Sequence, residues 1–126
     1  MKTITILIAR VSDSEQRKAL PAQKQRLEKY AKELGHDHQY YEFDESAYKD
    51  DRQKFGELVE KIKQLDEFAI IVFDKIDRFT RDASQSEVRA MGSLVEKGLI
   101  EMHFPSDNLI ITKDSPATDL FRLGIG

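Results

Sequence analysis

The chain has 126 residues, 40% hydrophobic and 34% charged, with a formal net charge of -3 and no cysteine. This length carries one domain with a real core. The lack of cysteine excludes a disulfide framework and a thiolate metal site, and fits a reducing cytoplasm. With 20 Lys+Arg against 23 Asp+Glu, there is no basic excess to hold DNA by phosphate contacts alone. A nucleic-acid role would need a local basic site and affinity from another domain.

Residues 3–9 (T-I-T-I-L-I-A) form an apolar run with β-branched residues, the pattern of a strand covered on both faces. The run is too short to span a bilayer and leads into Arg10 rather than a small-residue cleavage site, which argues against a signal peptide. No other stretch approaches membrane-spanning length, so the chain reads as soluble. A polar loop is expected from Ser12 to Ala19. Pro21 suits a first helical turn, Leu27, Tyr30, Ala31 and Leu34 recur at helical spacing, and Gly35 ends the helix.

Residues 39–43 read as a second strand, closed by Asp44 and Glu45. Phe55, Leu58, Val59, Ile62 and Leu65 place one apolar stripe on a helix over 52–65. The six apolar residues 68–73 are the strongest strand signal. A polar loop from Asp77 to Asp82, a helix over 84–97 closed by Gly98, and strands at 99–104 and 108–112 follow, with a further helix beginning in 115–126. The alternation predicts an α/β fold: three layers, a mostly parallel five-stranded sheet with helices on both faces, and flavodoxin-like topology. The sequence contains no internal repeat or linker.

In such a sheet Arg10 and Ser12, Arg52, and Arg78 with Arg81 all fall after strands, at the carboxyl edge where open α/β sheets bind ligands. No histidine stands near Ser12 in sequence, and there is no G-x-S-x-G elbow for acyl transfer. The expected neighbours are guanidiniums, whose planar forks match the nonbridging oxygens of a phosphodiester and stay charged. Fixed cations can stabilise the charge of phosphoryl transfer without a metal and favour a serine alkoxide. Asp77 can orient a guanidinium or take part in proton transfer, while Gln16 and Gln23 can hold the loop or reach the phosphate.

I-A-R-V-S at 8–12, followed by Gln16 and Gln23, resembles the opening of the serine site-specific recombinases, the resolvase/invertase family. D-K-I-D-R-F-T-R at 74–81 is similar to that family's second signature, K-L-D-R-L-S-R after a strand, and D-D-R at 50–52 sits where the family places another active-site arginine. The matches span about residues 3–112. The resemblance implies a resolvase-like catalytic domain in which Ser12 attacks DNA, forms a 5′-phosphoserine link and releases a 3′-hydroxyl. Arg10, Arg78 and Arg81 would grip the scissile phosphate, Arg52 would help to stabilise it, and Asp77 and Gln23 would support the site. It further implies no cofactor and no metal, double-stranded DNA as partner of the full-length protein, action as a dimer or tetramer, and a bacterial or phage-derived cytoplasmic setting.

The sequence also departs from the family pattern. D-E-S-A-Y at 44–48 stands where D-x-x-S-G is usual, and Asp13 follows the expected nucleophile in place of Thr or Ser. The long interface helix and the DNA-binding region are expected to lie beyond this chain, leaving a truncated domain with little activity by itself. Blander readings exist for each residue: Ser12 as a turn or helix cap, Arg78 and Arg81 as a solvated pair bridged to Asp77 and Asp82, and Arg52 in a helix first turn. His36 and His38 read as a surface loop and His103 as a packed strand histidine. Asp44 and Asp74 suggest a phospho-acceptor receiver, but Arg10-Val11-Ser12 stands where that fold needs acids. Two rivals to catalysis remain, an inert relative serving as an oligomerisation or regulatory module and a flavodoxin-like domain binding a small phosphorylated ligand.

Overall fold

The structure, a computed structural model, describes residues 2–81 and 83–124, apart from the side chain at position 15. Strand β1 (Thr3–Val11) lies between β2 (Asp37–Asp44) and β3 (Phe68–Phe73), parallel to both. Strand β4 (Ile100–Phe104) is parallel to β3, and the short β5 (Leu109–Ile111) is antiparallel to β4. The order β2-β1-β3-β4-β5 reverses direction between β1 and β3, and at such a switch point a crevice opens at the carboxyl ends of the strands.

The period-2 alternation of β1 and β3 divides the core. Ile6, Ile8, Ile71 and Phe73 join Phe55, Leu58 and Ile62 of α2 (Asp51–Lys63) and Met91 and Val95 of α4 (Gln85–Glu96) on one face. Leu7, Ala9, Val11, Ile70 and Val72 pack against Leu27 and Ala31 of α1 (Leu20–Leu34) on the other. Helices therefore cover both faces, as the apolar runs require. Pro21 lies in the first turn of α1, and Gly35, at φ 77°, ends it while donating to the carbonyl of Ala31.

Local structure differs from expectation at three places. Residues Ser14–Ala19 form a 3-10 turn rather than an open loop. Residues Asp77–Thr80 form a short helix, α3, inside the expected loop, because Phe79 is wholly buried against Phe73 with ring centroids 5.2 Å apart; Asp82 lies outside the described residues. Strand β2 begins at Asp37, so His38 is an exposed strand residue rather than part of a loop. A last helix, α5 (Ala117–Arg122), follows β5. No helix among the described residues is long and apolar enough to cross a membrane.

Candidate active site

The pairing of β1 with β3 stops at Ile8 and Phe73, so Arg10 has no strand neighbour on that side. The side chain of Gln23, fully buried on α1, takes that place: its Oε1 accepts from the backbone N–H of Arg10 at 3.1 Å and its Nε2 donates to the Arg10 carbonyl at 3.2 Å. Gln23 thus fixes the strand end two residues before Ser12.

Arg10 is 2% exposed, and its guanidinium carbon lies 4.2 Å from the Phe55 ring centroid. Its Nε and Nη2 donate to the two carboxylate oxygens of Glu45 at 2.6 and 3.2 Å, and its Nη1 donates to the carbonyls of Phe79 and Arg78 at 3.1 and 3.4 Å. One side chain thereby ties the end of β1 to the segments after β2 and after β3.

Helix α3 is held from outside as well as by Phe79. The N–H of Ile76 donates to Asp107 Oδ2 at 2.6 Å, and Asp74 accepts Arg26 at 2.7 and 2.8 Å and Ser106 Oγ at 2.9 Å. Burial raises the Asp74 carboxyl, but the bonds from Arg26 and Ser106 and the charges of Arg26 and Arg78 outweigh it and hold the group below its usual range. Asp44 is likewise held low: desolvation opposes ionisation, while Ser46, Arg17 and the Ala47 N–H favour it.

A small cleft at this edge is lined by Arg10, Val11, Ser12, Gln16, Asp77, Arg78 and Arg81. Arg78 is buried; its Nη1 donates to Gln16 Oε1 at 3.2 Å, and its Nε is buried without a partner among the described residues. Arg81 is half-exposed between Asp13 (3.6 Å) and Asp77 (3.9 Å). Four of the five residues expected to converge, Arg10, Ser12, Arg78 and Arg81, therefore share one cleft with Asp77.

Arg52 is the fifth, and it does not line the cleft. It lies in the first turn of α2, donates from Nη2 to Glu87 Oε1 at 2.8 Å, and reaches Glu45 Oε1 at 3.7 Å from Nε. Its link to the cleft therefore runs through Glu45 and Arg10. Gln23 also stays outside the cleft lining and acts on the Arg10 backbone.

Sequence reasoning named Asp77 and Asp13 beside the site but missed Glu45 and Glu87, the acids facing Arg10 and Arg52. Glu45 entered only as the end of a strand, although its position at the carboxyl edge was a usable signal. Glu87 completes an S-x-x-E capping box with Ser84 at the start of α4, a pattern visible in the sequence; its bond to Arg52 was not visible. Four guanidiniums (Arg10, Arg52, Arg78, Arg81) thus meet four carboxylates (Asp13, Glu45, Asp77, Glu87).

Other residues fall away from the cleft. His103 is buried between Tyr30 (2.7 Å) and Glu101 (3.1 Å), and Asp44 and Asp74 are engaged in the ion pairs above. No group of three or more His, Cys, Asp or Glu that could hold a metal ion occurs among the described residues.

Family comparison follows the same outline as the fold. The model of the resolvase N-terminal domain matches residues 5–124, and the chain belongs to that family. It is similar in structure to a resolvase family site-specific recombinase from Streptococcus pneumoniae, with 20% identity, a TM-score of 0.72, and coverage of 98% of this chain and 85% of that one. The N-terminal catalytic domain of TP901-1 integrase is 24% identical, with a TM-score of 0.60 and coverage of 98% and 90%. The C-terminal catalytic domain of ISC1926 TnpA, an IS607-like serine recombinase, is 21% identical, with a TM-score of 0.55 and coverage of 80% and 69%. No curated protein matches the chain. Family membership points to site-specific recombination as the general activity.

Proposed function

We propose that this chain is the catalytic domain of a serine recombinase that cleaves and rejoins DNA through Ser12. The observation that carries the reading is the shared cleft of Ser12, Arg78 and Arg81 at the β1/β3 switch point. In the reaction, Ser12 Oγ bonds to the scissile phosphorus, the bond from phosphorus to the 3′ oxygen breaks, and the serine proton is balanced by protonation of that oxygen as it leaves as a 3′-hydroxyl. The 5′-phosphoserine keeps the ester's bond energy, so rejoining is the reverse attack by a 3′-hydroxyl and needs no nucleotide cofactor. Arg78 and Arg81 neutralise charge on the nonbridging oxygens. Asp77 and Gln16 orient them, and Gln23 positions the strand end leading to the serine.

Arg52 takes a role behind the cleft, and Arg10, which lines it, organises its walls through Glu45. The matched charges at the site, with the net charge of -3, support a division of labour in which DNA affinity comes from other parts of the protein, which on this reading acts as a dimer or tetramer.

Trapping the covalent adduct tests this reading. The native protein carrying this domain would be incubated with sheared DNA of its host genome, digested, and the protein–DNA link mapped by mass spectrometry. A phosphodiester on Ser12, absent in Ser12→Ala, is expected. A link on another residue, or strand exchange without any adduct, would end the proposal. A second reading, the inert relative, draws on Asp13 lying 3.6 Å from Arg81; unchanged DNA exchange in Ser12→Ala would favour it.

A further inference from the structure

Arg10 already holds an anion, and that anion belongs to the protein. Glu45 presents both carboxylate oxygens to the Nε/Nη2 edge of Arg10, the same forked geometry by which a guanidinium takes a phosphate. The Nη1 group is committed to the carbonyls of Phe79 and Arg78. A phosphate in the cleft therefore cannot receive the Arg10 fork while Glu45 keeps it. We propose that Glu45 is the resting counter-anion of Arg10, and that docking of a phosphodiester at Ser12 transfers the Arg10 fork from the Glu45 carboxylate to a nonbridging oxygen. The proposal rests on the recombinase reading and makes Glu45 a positioning residue of that reaction.

Two further observations support the exchange. Arg10 lines the cleft and Glu45 does not, so the arginine has the phosphate site and its acid as separate neighbours. Buried donors without partners among the described residues occur on the other two arginines involved, Arg52 Nη1 and Arg78 Nε. Arg52 Nε lies 3.7 Å from Glu45 Oε1, so the Arg52 guanidinium can receive the displaced carboxylate, while the spare N–H of Arg78 is available to the incoming phosphate. The exchange leaves each charge paired, which a buried site requires. It also makes the resting site electrically quiet, so that only a phosphate already held in register by other contacts displaces the acid.

A phosphate titration of the wild-type chain, with 15N-labelled arginine and 13C-labelled glutamate side chains followed by NMR, tests this directly. The Arg10 Nε and Glu45 carboxyl signals are expected to move together with Arg78 Nε along one saturation curve. If Arg78 and Arg81 saturate while Arg10 and Glu45 stay at their starting positions, or if none of these signals responds, the exchange is wrong. In Glu45→Gln, inorganic phosphate is expected to bind about tenfold more tightly, within the usual span of coupling between competing interactions, while the exposed Glu57→Gln leaves affinity unchanged. Equal or weaker binding by a folded Glu45→Gln overturns the proposal, and should that variant not fold, the wild-type titration decides. Failure of the recombinase reading shows separately, as a missing Ser12 adduct, whatever the phosphate titration gives.

Discussion

Gln23 is where one substitution should reach furthest. Replacing it by leucine keeps the volume in the core but removes both hydrogen bonds to the Arg10 backbone, at 3.1 and 3.2 Å. An orphaned buried polar group costs about 1–3 kcal/mol, and two are created at a position where β3 has already ended. We therefore expect Gln23→Leu to destabilise the domain by roughly 3 kcal/mol, read as a fall in the urea midpoint at unchanged m-value. The neighbouring Gln25 is exposed on the same helix, and Gln25→Ala should stay within about 0.5 kcal/mol of wild type. Because Arg10 stands two residues before Ser12, Gln23→Leu should also slow adduct formation at temperatures where it remains folded. A loss of stability no larger than that of Gln25→Ala would refute the view that a side chain replaces the missing strand here.

Phe79→Ala should cost about 3–5 kcal/mol, the usual range for emptying a buried aromatic site, measured by the same denaturation. Arg81 is half-exposed, so Arg81→Ala should leave stability within about 0.5 kcal/mol while lowering adduct formation about 10²-fold, as loss of a transition-state charge contact does. Asp44 and Asp74 are both held below their ordinary 3.8. Their stabilisation is complete above that value and lost as pH falls through their lower folded values. Acid unfolding followed by circular dichroism should therefore be less steep in Asp74→Asn, and an unchanged acid limb would remove Asp74 from the account.

The central strands were legible because burial on both faces leaves a continuous apolar run, as in 3–9 and 68–73. The edge strand β2 was read two residues short at its start and one at its end. Asp37 and His38 pair with Ile4 and Thr5 of β1, but they face solvent and carry no apolar signal. Helix α3 escaped notice because four residues show no periodicity, and only tertiary contact reveals that Phe79 is buried. The arginines at the sheet edge were readable from strand ends alone. Asp77 was readable beside Arg81, but the acids of Arg10 and Arg52 were not, because Glu45 meets Arg10, and Glu87 meets Arg52, across 35 residues each. Pairing over that distance leaves no spacing to recognise. Arg52 was placed at the right edge but one layer too close to the cleft, since the strand-end rule fixes an edge and not a depth.

The turn between β4 and β5 supplies Ser106 and Asp107, which fasten the segment after β3 at Asp74 and Ile76. One wall of the cleft is thus anchored to a distant corner of the sheet, whereas the 3-10 turn behind Ser12 is largely exposed. On the recombinase reading, fitting of this site around a duplex would come from the alcohol's side, with the anchored segment after β3 serving as the fixed reference. Drift in a remote hairpin would then misalign chemistry that it never touches.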